Sequence, residues 1–555
     1  MEDEKDPEQP ESRPVEISIR KEVAKLSPEG SRDGSIERPY MEDEPVNQVS
    51  YPLPEDQDHA EIHRRWLERD PERIGTWLAA LHEAGDESID WPEEPAEQLS
   101  KDLHDLPFDV DSHDLGEAGW TIVCREIDYP KYEKGLRDLI EHRAGQMGRE
   151  VVPLLVEPHE TWRTFLARHG ESRGVIDPAK VPYYLLIVGS PEELSFEFQF
   201  GLSVDHAVGR LSFEDLEDFE SYTARLTKIE DSRETRLDPR TVLFSVEDDK
   251  DYALDLLRDF LVDPLQKDLE GYVPGWTLEA RRRGEATRGS LGELLGGPET
   301  PALFLFSGHG ASYSKGADGQ TDFQGALICR NAGDRTSNAF GATQLQEADL
   351  RGNISFFFAC YGAGTPAEDH FPPPASRNRT AAPARLADRP FVARLPQALL
   401  AQGSLAIVGH VDRGWTLSFH WALKGGEIST IRSLEDTLKR LQSGDRLGHA
   451  MRSLNRRTSS LSAQLHEVLG WLRQGEKVNL THLGRLWLAF HDARNFIVLG
   501  DPAVYLRGQR PKGAVIRLGE DLTSAAEDLA AEEGVSLEQV VLRILEEQLR
   551  ERLES

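Results

Sequence analysis

Residues 301–310, PALFLFSGHG, and residues 354–364, ISFFFACYGAG, decide how this chain is read. Each is a short apolar run that ends in a reactive side chain, His309 or Cys360, and then glycine. A continuous apolar run of this length reads as a strand buried on both faces, the pattern of a parallel sheet. Ligands of parallel α/β sheets bind just beyond the carboxyl ends of the strands. Two such ends carrying His and Cys suggest a thiol nucleophile facing its base. His309 and Cys360 stand 51 positions apart, so they meet only if their strands are neighbours. Gly308 and Gly310 flank the histidine, and Gly362 and Gly364 come after the cysteine. Glycine lets a substrate approach backbone N–H groups closely. The N–H groups of Gly310 and Cys360 therefore read as an oxyanion hole.

Outward from this pair, strands and helices alternate, which predicts an α/β fold with doubly wound parallel sheets. One α/β subdomain is expected at 116–237, with strands in GWTIVCREI (119–127), EVVPLLVE (150–157) and VPYYLLIVGS (181–190), then HAVGRLSF (206–213). A second, carrying His309 and Cys360, is expected at 238–507. It opens with RTVLFSVEDD (240–249), passes through SLAIVGHVDRGW (404–415) and closes with NFIVLGDPAVYLR (495–507). Residues 59–115 read as a helical segment and linker, with Trp66 and Trp77 as packing anchors and Pro71 dividing two helices. Residues 1–58, rich in Glu, Asp, Pro and Ser, have the composition of a disordered acidic tail. Within that tail, PVEISI (14–19) could be a short strand that adds to something else. Residues 511–555 form a separate strand–helix–helix module, whose last helix opens with a capping box, Ser536 and Gln539.

The chain has 555 residues, a formal charge of -34 and a hydrophobic fraction of 38%. No apolar run approaches the roughly 20 residues that span a bilayer. The charge disfavours broad binding to nucleic acid or to anionic membranes. The acidic start, MEDEKDPEQPES, lacks the basic and apolar parts of a signal peptide, so a cytoplasmic protein is expected. The three cysteines, Cys124, Cys329 and Cys360, have no metal-ligand spacing and form no disulfide framework. No metal or organic cofactor is called for.

With these motifs in view, the sequence resembles the caspase-like clan of cysteine peptidases, closest to its gingipain and CHAT protease branch. The resemblance rests on His309-Gly310 and Ala359-Cys360, supported by YYLLIVGSPEEL (183–194), HAVGRLSF and LGDPAVYL (499–506), and covers about 116–507. It implies a caspase-like fold built of both subdomains and a thiol endopeptidase acting on protein or peptide substrates through a thioester. Cys360 would be the nucleophile, His309 the general acid and base, and Gly310 and Cys360 the oxyanion donors. A third, orienting carboxylate would fall to Glu247 or Asp248, at the end of the first strand of the second subdomain.

The residues after SLAIVGHV would help line the specificity pocket. Asp412 would pair with a basic P1 side chain and Trp415 would form an apolar wall, whereas Arg413 would suit an acidic P1. Cleavage after Arg or Lys is the expectation. His410 reads as structural. The Pro-rich loop at 365–390 contains Arg377, Arg379, Arg385 and Arg389 and is a candidate for self-cleavage. The 511–555 module resembles a ribbon-helix-helix domain and suits a homodimer or a regulatory protein rather than DNA. The rival reading is an inactive scaffold or regulator acting through that module.

Overall fold

The computed structural model describes residues 71–84 and 110–506, apart from short gaps at 172–175, 232–236, 249–250, 330–337, 346–349, 372–383, 416–417, 424–425 and 430. It also describes residues 15–18, 45–46, 48–50, 106–107, 515–518, 529, 540 and 543. No helix among the described residues is long and apolar enough to cross a membrane.

Apolar strands that can bury both faces assemble into one ten-stranded sheet. In chain order its strands are β1 (Trp120–Arg125), β2 (Leu154–Val156), β3 (Tyr184–Val188), β4 (Ala207–Leu211) and β5 (Arg240–Ser245). They continue with β6 (Thr277–Arg282), β7 (Leu303–Ser307), β8 (Ile354–Phe358), β9 (Ala406–His410) and β10 (Phe496–Gly500). The order across the sheet is β2-β1-β3-β4-β10-β9-β8-β7-β5-β6. The first five in that order are mutually parallel, and so are the last five. The halves meet where β10 runs antiparallel to β9, with Ala406 opposite Gly500 and His410 opposite Phe496. The expected α/β class is present, with the two parallel halves joined edge to edge. The strand of LGDPAVYL, late in the chain, completes the first half.

Strand side chains alternate between faces. On β3, Tyr184, Leu186 and Val188 enter the largest apolar cluster, while Leu185 and Ile187 enter a second one with Val123, Phe165 and Phe198. Both faces are thus buried, as continuous apolar runs require.

Buried charge ties the end of β10 to the rest of the first half. Arg143 and Asp501 are both fully buried and Glu230 nearly so. Arg143 donates to Glu230 at 2.6 and 2.8 Å and to Asp501 at 2.8 Å. Asp501 also accepts from the Trp120 indole at 2.9 Å, and its own N–H donates to the Tyr222 hydroxyl at 2.8 Å. Burial opposes charge on Glu230, yet Arg143 and His142 hold its carboxyl far below the usual range.

Pro71 starts a helix, Pro71–Ala84, which suits its missing N–H and fixed φ. Residues 59–70, Trp66 among them, lie outside the described residues. Ile74, Trp77, Leu78 and Leu81 are buried in a cluster with the helices Arg452–Arg473 and Leu480–Arg494. At Gly75 an added Cβ would sit 1.9 Å from the Leu480 carbonyl oxygen, so only glycine allows this approach.

The chain separates into two units, Pro39–Gly508 and Met1–Arg38 with Gln509–Ser555. In the latter, Val15–Ser18 pairs antiparallel with Val515–Leu518, Val15 opposite Leu518 and Ser18 opposite Val515. The partner of the PVEISI strand is therefore the strand of the C-terminal module. The helices expected after it lie outside the described residues, save residues 529, 540 and 543.

Candidate active site

The ends of the second parallel half gather the chemistry. Along β7 and β8, Ser307 stands opposite Phe358, and His309 and Cys360 each lie two residues beyond these paired ends. Gly310 then packs on the cysteine backbone, where an added Cβ would lie 1.9 Å from the Cys360 carbonyl oxygen. The expected neighbouring of the two motifs is thus met, and the glycine at 310 is required by contact.

His309 is 9% exposed, and its Nε2 lies 2.6 Å from Asp251 Oδ2. Asp251 also caps the helix Tyr252–Leu257, its Oδ1 accepting from Ala253 N at 3.1 Å and Leu254 N at 3.3 Å. Burial opposes charge on Asp251, but His309 and the two N–H groups hold its pKa down to about 2. A carboxylate so held fixes the orientation of the ring. Glu247, expected in that role, turns to Arg283 at 3.1 Å, and the Asp248 carbonyl accepts from Asp251 N at 2.8 Å. The carboxylate that meets the imidazole, Asp251, lies a few residues further on because the chain must leave β5 and begin a helix before a side chain reaches His309. An Asp just ahead of YALDLL is the sequence signal of a helix cap, and that signal could have found it.

Cys360 is fully buried. Its Sγ accepts from Gly414 N at 3.4 Å. Burial pushes the thiol pKa well up, against a smaller lowering by the Gly414 N–H. The next residue, Tyr361, has φ +58°, and Asp412 has φ +84°. For side-chain-bearing residues this region costs on the order of 1–3 kcal/mol and persists only where the surroundings enforce it. Here the two turns hold each other: Tyr361 N donates to Asp412 O at 2.6 Å, Ala363 N to His410 O at 2.9 Å and Asp412 N to Gly364 O at 3.2 Å.

Asp412 is 1% exposed and its Oδ1 accepts from Arg413 Nε at 2.8 Å. Arg413, also buried, reaches Asp369 as well, with its guanidinium 4.9 Å from the Phe371 ring centroid. Two carboxylates thus share one guanidinium. Asp369, unnoticed in the sequence, sits in the loop after the cysteine; the middle of that loop, 372–383, with Arg377 and Arg379, lies outside the described residues. Trp415 is fully buried on Phe371, ring centroids 5.1 Å apart, and its backbone N–H donates to Asp492 at 2.8 Å. His410 packs on Phe358 and Phe496, the structural place expected of it. No group of side chains among the described residues could hold a metal ion.

Comparison with known proteins gives distant likenesses. No family model and no curated protein matches the sequence. Among solved structures, the complex of the pro- and mature domains of Porphyromonas gingivalis RgpB is similar at 15% identity and a TM-score of 0.40, covering 71% of this chain and 81% of that one. A structure described only as a protease is similar at 12% identity and a TM-score of 0.41, covering 70% and 78%. The Saccharomyces cerevisiae separase–securin complex is similar at 11% identity and a TM-score of 0.27, covering 67% of this chain and 23% of that one. At these values likeness decides nothing about chemistry, which has to be read from the site.

Proposed function

We propose that residues 116–507 form a caspase-like cysteine endopeptidase. The observation that supports this is the β7–β8 pairing, which brings the strand ends that lead to His309 and Cys360 side by side, with Asp251 2.6 Å from the imidazole. The Cys360 sulfur attacks the scissile carbonyl carbon, and the carbonyl oxygen takes up charge facing the N–H groups of Gly310 and Cys360. The C–N bond then breaks, leaving a thioester, as His309 delivers to the leaving amine the proton that came from the thiol. Water attacks the thioester, frees the acid and restores the thiol. Burial raises the thiol pKa, so the proposed reaction starts from the neutral thiol. Asp251 positions the imidazole throughout.

The proposed preference is for Arg or Lys at P1. Asp369 and Asp412 together carry one more negative charge than Arg413 neutralises, and this surplus lies beside Gly414, which touches the thiol. The module at 511–555 is proposed as a docking site for a second copy or a regulator, and the site of action as the cytoplasm. Cleavage of a fluorogenic peptide library by wild type and by Cys360→Ala tests the reading. Turnover lost with the thiol and centred on basic P1 is expected; wild-type turnover in the variant overturns it.

A further inference from the structure

The acidic tail contains one long uncharged run, PVNQVSYPLP at 45–54, and its first part is strand-paired to the site. Pro45–Val46 runs antiparallel to Gly414–Trp415, with Val46 opposite Gly414 and Pro45 opposite Trp415. Gln48–Ser50 runs parallel to Gly310–Ser312, with Gln48 opposite Gly310 and Ser50 opposite Ser312. A single residue, Asn47, separates the two strands in the sequence. The strand Gly310–Ser312 comes directly after His309, and Gly414 touches the Cys360 sulfur. Among the described residues, Gly414–Trp415 has no other strand partner, and Gly310–Ser312 has only Leu327–Ile328, on its other edge.

Two strand edges on either side of a thiol are receptors for an extended peptide, because unpaired N–H and C=O groups take an added strand. Here both edges are covered by one continuous stretch of the chain. Its strand on the Gly414 side ends at Val46 and its strand on the Gly310 side begins at Gln48, and consecutive Cα atoms are only about 3.8 Å apart. Cys360 is fully buried in this arrangement. Although the segment lies early in the sequence, it belongs to the Pro39–Gly508 unit.

We infer that the strands Pro45–Val46 and Gln48–Ser50 fill the peptide channel of the site in cis, so that the chain is its own first occupant and a substrate strand enters only after this segment leaves. The inference rests on the peptidase reading for the identity of the displacing ligand, but the occlusion itself is independent of catalysis. It moves the restraint on the site to the N-terminal tail, away from the 365–390 loop and the C-terminal module.

The test uses the full chain with Gln48→Pro and Val49→Pro together. Successive N–H groups of a strand point to opposite edges, so the pair removes whichever donor faces Gly310–Ser312. Gln48→Ala with Val49→Ala keeps both donors and is the control. Iodoacetamide labelling of Cys360 is read by peptide mass mapping, with the buried thiols of Cys124 and Cys329 as internal references. An unchanged melting temperature shows that the fold is kept. Loss of one or two strand hydrogen bonds predicts labelling of Cys360 faster by about tenfold in the proline variant and little changed in the alanine control. Peptidase activity, measured in parallel, should rise by the same factor. Labelling at the wild-type rate in the folded proline variant overturns the inference. Faster labelling without hydrolysis of any library peptide supports the occlusion and overturns the peptidase reading instead.

Discussion

The two halves of the sheet are built alike, each from five parallel strands, yet they use charge in opposite ways. In the first half Arg143, Glu230 and Asp501 are sealed in the interior, with one guanidinium held between two carboxylates. In the second half His309 and Asp251 sit at the strand ends, partly open, with side-chain exposures of 11% and 33%. Parallel architecture supplies a row of strand ends, and the residues just beyond each end decide between a bolt and a site. Where the strand end leads into a residue that finds a buried partner, as Asp501 does, the charge is used for docking. Where the next residues are glycine and a strained turn, as after His309 and Cys360, backbone N–H groups and a reactive atom are left together.

The sharpest break in this contrast is Cys360→Ala, which should remove all peptide hydrolysis while leaving the melting temperature near wild type. His309→Ala should cost nearly as much, since groups that act as one unit do not lose activity additively. The opposite signature is expected from Arg143→Ala. It strands Glu230 and Asp501 as buried charges and should cost about 3–5 kcal/mol in urea unfolding, while kcat of the still-folded fraction is unchanged. A fall in kcat with stability intact would show that the bolt is part of the site.

Asp251→Asn sharpens the comparison within the second half. Hydrolysis should drop by about 10²-fold through kcat, with KM little moved, because the imidazole loses its orienting carboxylate. The acid profile should shift too. A carboxyl whose pKa falls from 3.8 in the unfolded chain to about 2 in the fold stabilises the protein fully above pH 4 and loses that contribution between pH 4 and pH 2. Acid unfolding of Asp251→Asn should therefore lack the part of the wild-type transition that lies in this window. The smallest effect is expected from Asp412→Ala. Because Asp412 already serves Arg413, its loss should weaken kcat/KM on Arg and Lys substrates by about tenfold, with neutral P1 peptides less affected. An equal loss on all peptides would make Asp412 a support for the turn after Cys360 and not a specificity residue.

Local pattern settles a good deal. The apolar runs ending at Ser307 and Phe358, the glycines beyond them and the alternation of strands and helices specify the α/β class and the strand ends that lead to His309 and Cys360, because burial on both faces leaves its mark in every residue of a strand. Whatever depends on partners far apart in sequence came from the tertiary structure. It joined both halves in one sheet through β10, gave the imidazole to Asp251 and not to Glu247, tied Asp412 to Arg413 and Asp369, and paired an unremarkable stretch of the tail with Gly310 and Gly414. A strand edge or a carboxylate chooses its partner by position in space, and a single polar residue or a two-residue strand carries no periodicity from which that position could be read.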